Sequence, residues 1–167
     1  MSLDGVRSVF RFEGAVRQAI LQFKYRNLKA LAEPLARAMG DYLREHPLPA
    51  DVIVPTPLHT RRLRERGYNQ SALLARELAR LSHLPVVEGC LVRIKNTPPQ
   101  TRTKSAVERH HNIAGAFACR NRRLEGKRIL LIDDVCTSGA TLNSCAFALK
   151  AGGATSVWGL TLARETW

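Results

Sequence analysis

An α/β fold, with a mostly parallel sheet and helices on both faces of a single domain, is predicted by three features of this 167-residue chain. Short apolar runs alternate with segments of helical period, the order that places strands side by side and in parallel. Residues 129–132 (Ile-Leu-Leu-Ile) are apolar without alternation, as suits a strand covered on both sides. That run passes through Asp133 and Asp134 and a hydroxyl- and glycine-rich bend into a helical pattern, which makes a strand-to-helix junction.

The elements follow in order. Ala15, Val16, Ala19, Ile20 and Phe23 share one helical face, and Leu28, Leu31, Leu35, Met39 and Leu43 continue the period, so two helices are expected before the first core strand. Lys24, Tyr25 and Arg26 between them read as a solvated face, with a place on a ligand rim as the alternative. Residues 51–55 form a strand closed by Pro55, and 69–81 a helix entered through an Asn69 cap with Leu74, Leu78 and Leu81 inward. Val86-Val87 and residues 91–94 are further strands, and 156–162 the last one, all expected in parallel. Leu142, Ala146 and Leu149 mark the helix after the bend, and Gly152-Gly153 stops it. A chain 45% hydrophobic and of this length supports one real core rather than two. No apolar stretch reaches the length of a membrane span and none resembles a secretory signal, so a cytoplasmic protein is expected.

The junction carries the chemistry. Backbone N–H groups at a helix start lack partners within the helix and point out of its positive end, so a phosphate there meets several donors. Gly139 lets the chain approach the oxygens, Ser138 and Ala140 lie within the same bend, and Thr137, Ser138 and Thr141 add hydroxyls. Four such bonds to a charged group give roughly 6–12 kcal/mol gross, before association costs of several kcal/mol. A second anchor is therefore needed. Asp133 and Asp134 would repel a phosphate unless they met hydroxyl donors or Mg²⁺, and a ligand offering both phosphate and hydroxyls is a ribose 5-phosphate.

This strand, acid pair, bend and helix resemble the 5-phosphoribosyl-1-pyrophosphate (PRPP) signature of type I phosphoribosyltransferases. More narrowly, Val54-Pro-Thr-Pro57, Arg66-Gly-Tyr-Asn-Gln70, Gln100, Arg109 with Asn112, and Leu162-Ala-Arg164 resemble the competence protein ComF family, whose members are sometimes labelled amidophosphoribosyltransferase-like. Matching positions run from about Tyr25 to Arg164. The resemblance implies a type I phosphoribosyltransferase-like domain that binds PRPP, with Mg²⁺ carried by the ligand and conceivably touched by Asp133 and Asp134. Asp133 and Asp134 would take the ribose hydroxyls, Thr137, Ser138, Gly139, Ala140 and Thr141 the 5-phosphate, and Pro55, Thr56 and Arg66 the pyrophosphate. Lys104 or Arg109 would close over it from residues 95–114, which resemble the mobile loop of such enzymes; a disordered basic loop is the alternative. Arg61, Arg62 and Arg64 are further candidates for the pyrophosphate, and His110-His111 read as loop residues. Family members often carry a Cys-rich zinc-binding module ahead of this region. Met1-Ser-Leu3 therefore reads as a cloning remnant on a truncated chain, or the chain as a short-form homologue.

Several function classes are disfavoured by what the sequence lacks. It has no G-x-x-x-x-G-K-[ST], no G-x-G-x-x-G after a strand and no G-x-S-x-G. Cys90, Cys119, Cys136 and Cys145 form no C-x-x-C pair, so zinc binding within the chain is not expected, and Cys136 lacks an evident base to act as nucleophile. With 26 basic and 14 acidic residues the chain carries +12, which suits a polyanion such as PRPP and would also attract nucleic acid nonspecifically. Thr137 stands where 6-oxopurine salvage enzymes have an Asp, which argues against hypoxanthine or guanine as acceptor. The expected function is phosphoribosyl transfer from PRPP, with loss of pyrophosphate, to an unidentified acceptor, linked to competence, DNA uptake or nucleotide metabolism. The alternative is a non-catalytic PRPP- or nucleotide-sensing accessory of DNA uptake. DNA, the uptake machinery and a second copy of the chain in a homo-dimer are the open partners.

Overall fold

The structure is a computed structural model, and it describes residues 1–26, 29–95 and 115–166. Its elements run β1 (Gly5–Arg11), α1 (Gly14–Tyr25), a 3-10 turn (Lys29–Leu31), α2 (Ala32–Glu45), β2 (Val52–Pro55), α3 (Thr60–Arg66), α4 (Gln70–Ser82), β3 (Leu91–Arg93), β4 (Phe117–Cys119), β5 (Arg128–Cys136), α5 (Ala140–Ala151) and β6 (Ser156–Arg164). The main sheet is wholly parallel in the order β1-β6-β5-β2, with the long β5 and β6 at its centre.

The unbroken apolar run in β5 has a direct structural cause. Leu130 and Ile132 face one side with Ile53, Leu160 and Leu162, packed against Ile20 and Phe23 of α1, Ala36 and Met39 of α2, and Leu74 and Leu78 of α4. Ile129 and Leu131 face the other with Val52, Val54 and Val157, under Leu142, Cys145, Ala146 and Leu149 of α5 and the β3–β4 pair. Each fully buried Leu or Ile contributes about 1.5–3 kcal/mol, so neither face of β5 tolerates a polar residue before the acids.

Several expectations are corrected. A strand, β1, precedes the first helix and lies on the sheet edge beside β6, where Gly5 accommodates the Trp158 ring. Its polar Arg7, Ser8 and Arg11 belong to an edge, which is why no buried-strand pattern announces it. Residues 91–93 are not in the parallel sheet; they pair antiparallel with β4 as a separate ribbon, and Val86 makes a lone parallel bridge to Ile53. The loop after β2 contains the short helix α3. Ala15 is exposed, while Leu28 lies outside the described residues. The helix caps and stop hold: Asn69 caps α4, and α5 ends at Ala151 before Gly152 and Gly153. No helix among the described residues is long and apolar enough to cross a membrane.

Candidate active site

The carboxyl ends of β2, β5 and β6 open into one cleft of about 960 Å³. Its floor is the end of β5, which extends past the expected Ile132 through both acids to Cys136 and stays paired to β6, with Asp133 opposite Thr161. Asp133, Asp134, Thr137, Thr141 and Thr56 all line it, whereas Pro55, Ser138, Gly139 and Ala140 are not among its lining residues. Gly139 holds φ +81° at the entry to α5, the left-handed conformation that turns the strand into the helix, and Ser138 Oγ accepts the Ala140 N–H at 3.3 Å.

The two acids sit in different environments. Asp133 is half-buried; its Oδ1 accepts Ser71 Oγ at 3.0 Å and the Asp134 N–H at 2.9 Å. Burial and the neighbouring Asp134 charge push its carboxyl up to about 7. Asp134 is buried, and burial alone would raise it, but the Lys24 ammonium, Asp133 and the Val135 N–H together hold it below the usual carboxylate range. Its Oδ1 accepts that Val135 N–H at 2.7 Å, while Oδ2, which has no hydrogen-bond partner among the described residues, forms an ion pair with Lys24 Nζ at 3.3 Å. The reading of Lys24, Tyr25 and Arg26 as a solvated face is thus corrected for the first two: Lys24 and Tyr25 line the cleft, and Arg26 is exposed.

The Arg66-Gly-Tyr-Asn-Gln70 segment is explained by what each side chain ties together. Gly67 ends α3 at φ +88°. The Tyr68 hydroxyl donates to the Phe23 carbonyl at the end of α1, and its ring stacks on Phe23 at 6.0 Å. Asn69 Oδ1 accepts the N–H groups of Ser71 and Ala72, while its Nδ2 donates to the Thr56 carbonyl at 3.1 Å, fixing the β2 loop to α4. Arg66 bonds Gln70 Oε1, and its guanidinium lies 5.5 Å from the Tyr25 ring centre.

Of the loop arginines, Arg62 and Arg66 line the cleft, whereas Arg61, paired with Glu65 at 3.6 Å, and Arg64 are exposed and do not line it. Arg93 of β3, which no sequence pattern singles out, joins them. Burial lowers the pKa of Arg62, and the Arg66 charge lowers it further; burial likewise lowers Arg93, with Arg62 adding to it. Guanidinium groups gathered at such cost form a site prepared for an anion of several charges. The Thr56 N–H is consumed by the Ile132 carbonyl at 2.9 Å, so this residue's offer to a ligand is its hydroxyl, a buried Oγ1 with no hydrogen-bond partner among the described residues. The candidates Gln100, Arg102, Lys104, Arg109, His110, His111 and Asn112 lie outside the described residues.

Residues 66–165, more than half of the chain, match the phosphoribosyl transferase domain model. The chain belongs to the phosphoribosyl transferase domain family. Its ComF resemblance is borne out as well: it is 37% identical over 153 residues to Competence protein F of Haemophilus influenzae, covering 86% of this chain and 66% of that protein. With Competence protein ComFC of Bacillus subtilis it shares 34% over 161 residues, covering 95% and 64%. The chain thus spans about two thirds of the length of these curated relatives. Among solved structures, the family fold is shared with the glutamine PRPP amidotransferase from B. subtilis, at TM-score 0.52 and 20% identity, over 78% of this chain and 26% of that one. All four cysteines are free, and burial pushes the Cys136 thiol up.

Proposed function

We propose that this domain binds PRPP and transfers its phosphoribosyl group, with loss of pyrophosphate, to an acceptor still to be identified. The observation that carries this reading is the convergence, in one cleft, of an acid pair, a hydroxylated helix entry and four arginines, Arg17, Arg62, Arg66 and Arg93. A terminal phosphate suits Thr137, Thr141 and the start of α5; ribose hydroxyls suit the acids; pyrophosphate suits Arg62, Arg66, Arg93 and the Thr56 hydroxyl. The work required of the protein is to hold the ribose in place and to stabilise negative charge on the departing pyrophosphate as C1 of the sugar becomes electron-poor.

Mg²⁺ fits this set as a companion of the ligand. The carboxylates are hard oxygen donors, and Asp134 Oδ2 is a buried oxygen accepting no hydrogen bond, but no third acidic or imidazole ligand converges with them among the described residues. Bound with PRPP, the ion would neutralise charge on the pyrophosphate; Asp133 and Asp134 are the residues that would meet it. The competence names of the relatives and the chain's +12 charge support a role near DNA uptake, and a cytoplasmic location belongs to the same proposal.

The test is release of pyrophosphate from PRPP with Mg²⁺ against a panel of bases and amines. Turnover with one acceptor, lost in Asp133→Asn/Asp134→Asn, supports the transferase. Binding without turnover across the panel supports the sensor alternative. PRPP affinity unchanged in the double variant sinks both.

A further inference from the structure

The acid pair is accompanied by a cation that the chain itself supplies. Lys24 Nζ stands 3.3 Å from Asp134 Oδ2, and the two side chains are 22% and 5% exposed, so the ammonium faces the cleft while the carboxylate lies behind it. Asp134 turns its other oxygen to the Val135 N–H. Asp133 differs: its two hydrogen bonds both fall on Oδ1, and the residue lines the cleft half-buried. The acids therefore do not present themselves equally to a ligand.

Lys24 is also held in place from behind. It follows Phe23, which is fully buried, stacked on Tyr68 and bonded through its carbonyl to the Tyr68 hydroxyl. A lysine at the last turn of α1 with a free stem would swing through solvent; this one is fixed between an anchored neighbour and a buried carboxylate. An ammonium has three donors, and its ion pair with Asp134 leaves donors for the cleft.

We propose that Lys24 is a ligand-contacting residue, a fixed cation that meets the oxygens of the phosphorylated sugar, and that Asp134 acts through it as a positioning residue while Asp133 takes the sugar hydroxyl directly. The electrostatics require something of this kind. Two bare carboxylates beside a polyanion would repel it, and Lys24 cancels one of them without any metal.

This inference rests on the PRPP reading, and the experiment separates the two. PRPP is titrated calorimetrically into the full chain, with and without MgCl₂, for wild type, Lys24→Met, Lys24→Arg, Asp134→Asn and Lys24→Met/Asp134→Asn. Lys24→Met should weaken binding about tenfold or more, as loss of a charge-assisted contact does, and Lys24→Arg should recover part of it. The loss should be larger without MgCl₂. Asp134→Asn should weaken binding only while Lys24 is present, so the double variant, which leaves no unpaired buried charge to threaten folding, should bind no worse than Lys24→Met alone. Wild-type binding with Lys24→Met within about threefold of it, or losses that multiply in the double variant, overturns the proposal and leaves the PRPP reading standing. No binding of PRPP by the wild type overturns both.

Discussion

Replacing Asp133 by Asn should make the ligand-free protein more stable at pH 8 and leave it nearly unchanged at pH 4. In the folded chain this carboxyl titrates at about 7 against an ordinary 3.8, because burial and the Asp134 charge disfavour its ionised form. The folded state therefore holds a proton that the unfolded state has already released. For an acid raised in this way stability falls as pH rises from about 4 to about 7, and is level above that range. At about 1.4 kcal/mol per pH unit the full difference is ~4 kcal/mol, a ceiling for a group wholly shielded from water. Asp133 is half-buried at the cleft floor, and solvent screening brings the expected gain to about 2 kcal/mol. For a chain of this size that is a rise in melting temperature of about 4–8 °C at pH 8. Asn retains an oxygen for Ser71 Oγ and the Asp134 N–H, so packing changes little. The assay is urea unfolding of both proteins at several pH values between 4 and 8; their difference cancels the other titrating groups. A variant no more stable than wild type at pH 8, or a difference that does not grow between pH 4 and 7, refutes the reasoning.

Asn69→Ala removes the acceptor for two helix-start N–H groups and the donor to the Thr56 carbonyl, and should cost about 2 kcal/mol in denaturant unfolding. Gly139→Ala meets no clash, since the added carbon would sit 4.0 Å from Cys136 Sγ, but φ +81° is strained for Ala, so a loss of roughly 1–2 kcal/mol is expected by the same measurement. Arg62→Ala should lower affinity for PRPP about tenfold by calorimetry at low salt, and the deficit should shrink as salt rises.

What the sequence disclosed follows from how local each signal is. The β5–α5 junction is legible because its apolar run, acids, hydroxyls and glycine are consecutive and each type has one physical use. The Asn69 cap is legible for the same reason. By contrast, β1 becomes a strand through pairing with β6, some 150 residues away in sequence, and its exposed Arg and Ser residues carry no buried pattern. Lys24 was readable only within a basic-aromatic cluster that suited a solvated face as well as a ligand rim, and Arg93 escaped notice because nothing adjacent marks it. One reaches the acids by the course of α1 across the sheet, the other by the antiparallel ribbon that residues 91–93 form. The arginines after β2 were rightly suspected as a group, yet only the turn of helix α3 selects Arg62 and Arg66 over Arg61 and Arg64.

Asp133 and Asp134 stand within a ladder of backbone hydrogen bonds to β6 rather than on a loop. Their spacing is set by the pleat, so the floor has no slack with which to follow a misfitting guest. Under the proposed reading, a 2-deoxy sugar would leave a carboxylate facing a methylene with no compensating shift of main chain, so a preference for a ribo-configured diol would be set by the sheet itself. Changing that preference would call for substitution of the surrounding side chains, Thr56, Ser71 and the arginines, which can be exchanged without unpicking a strand.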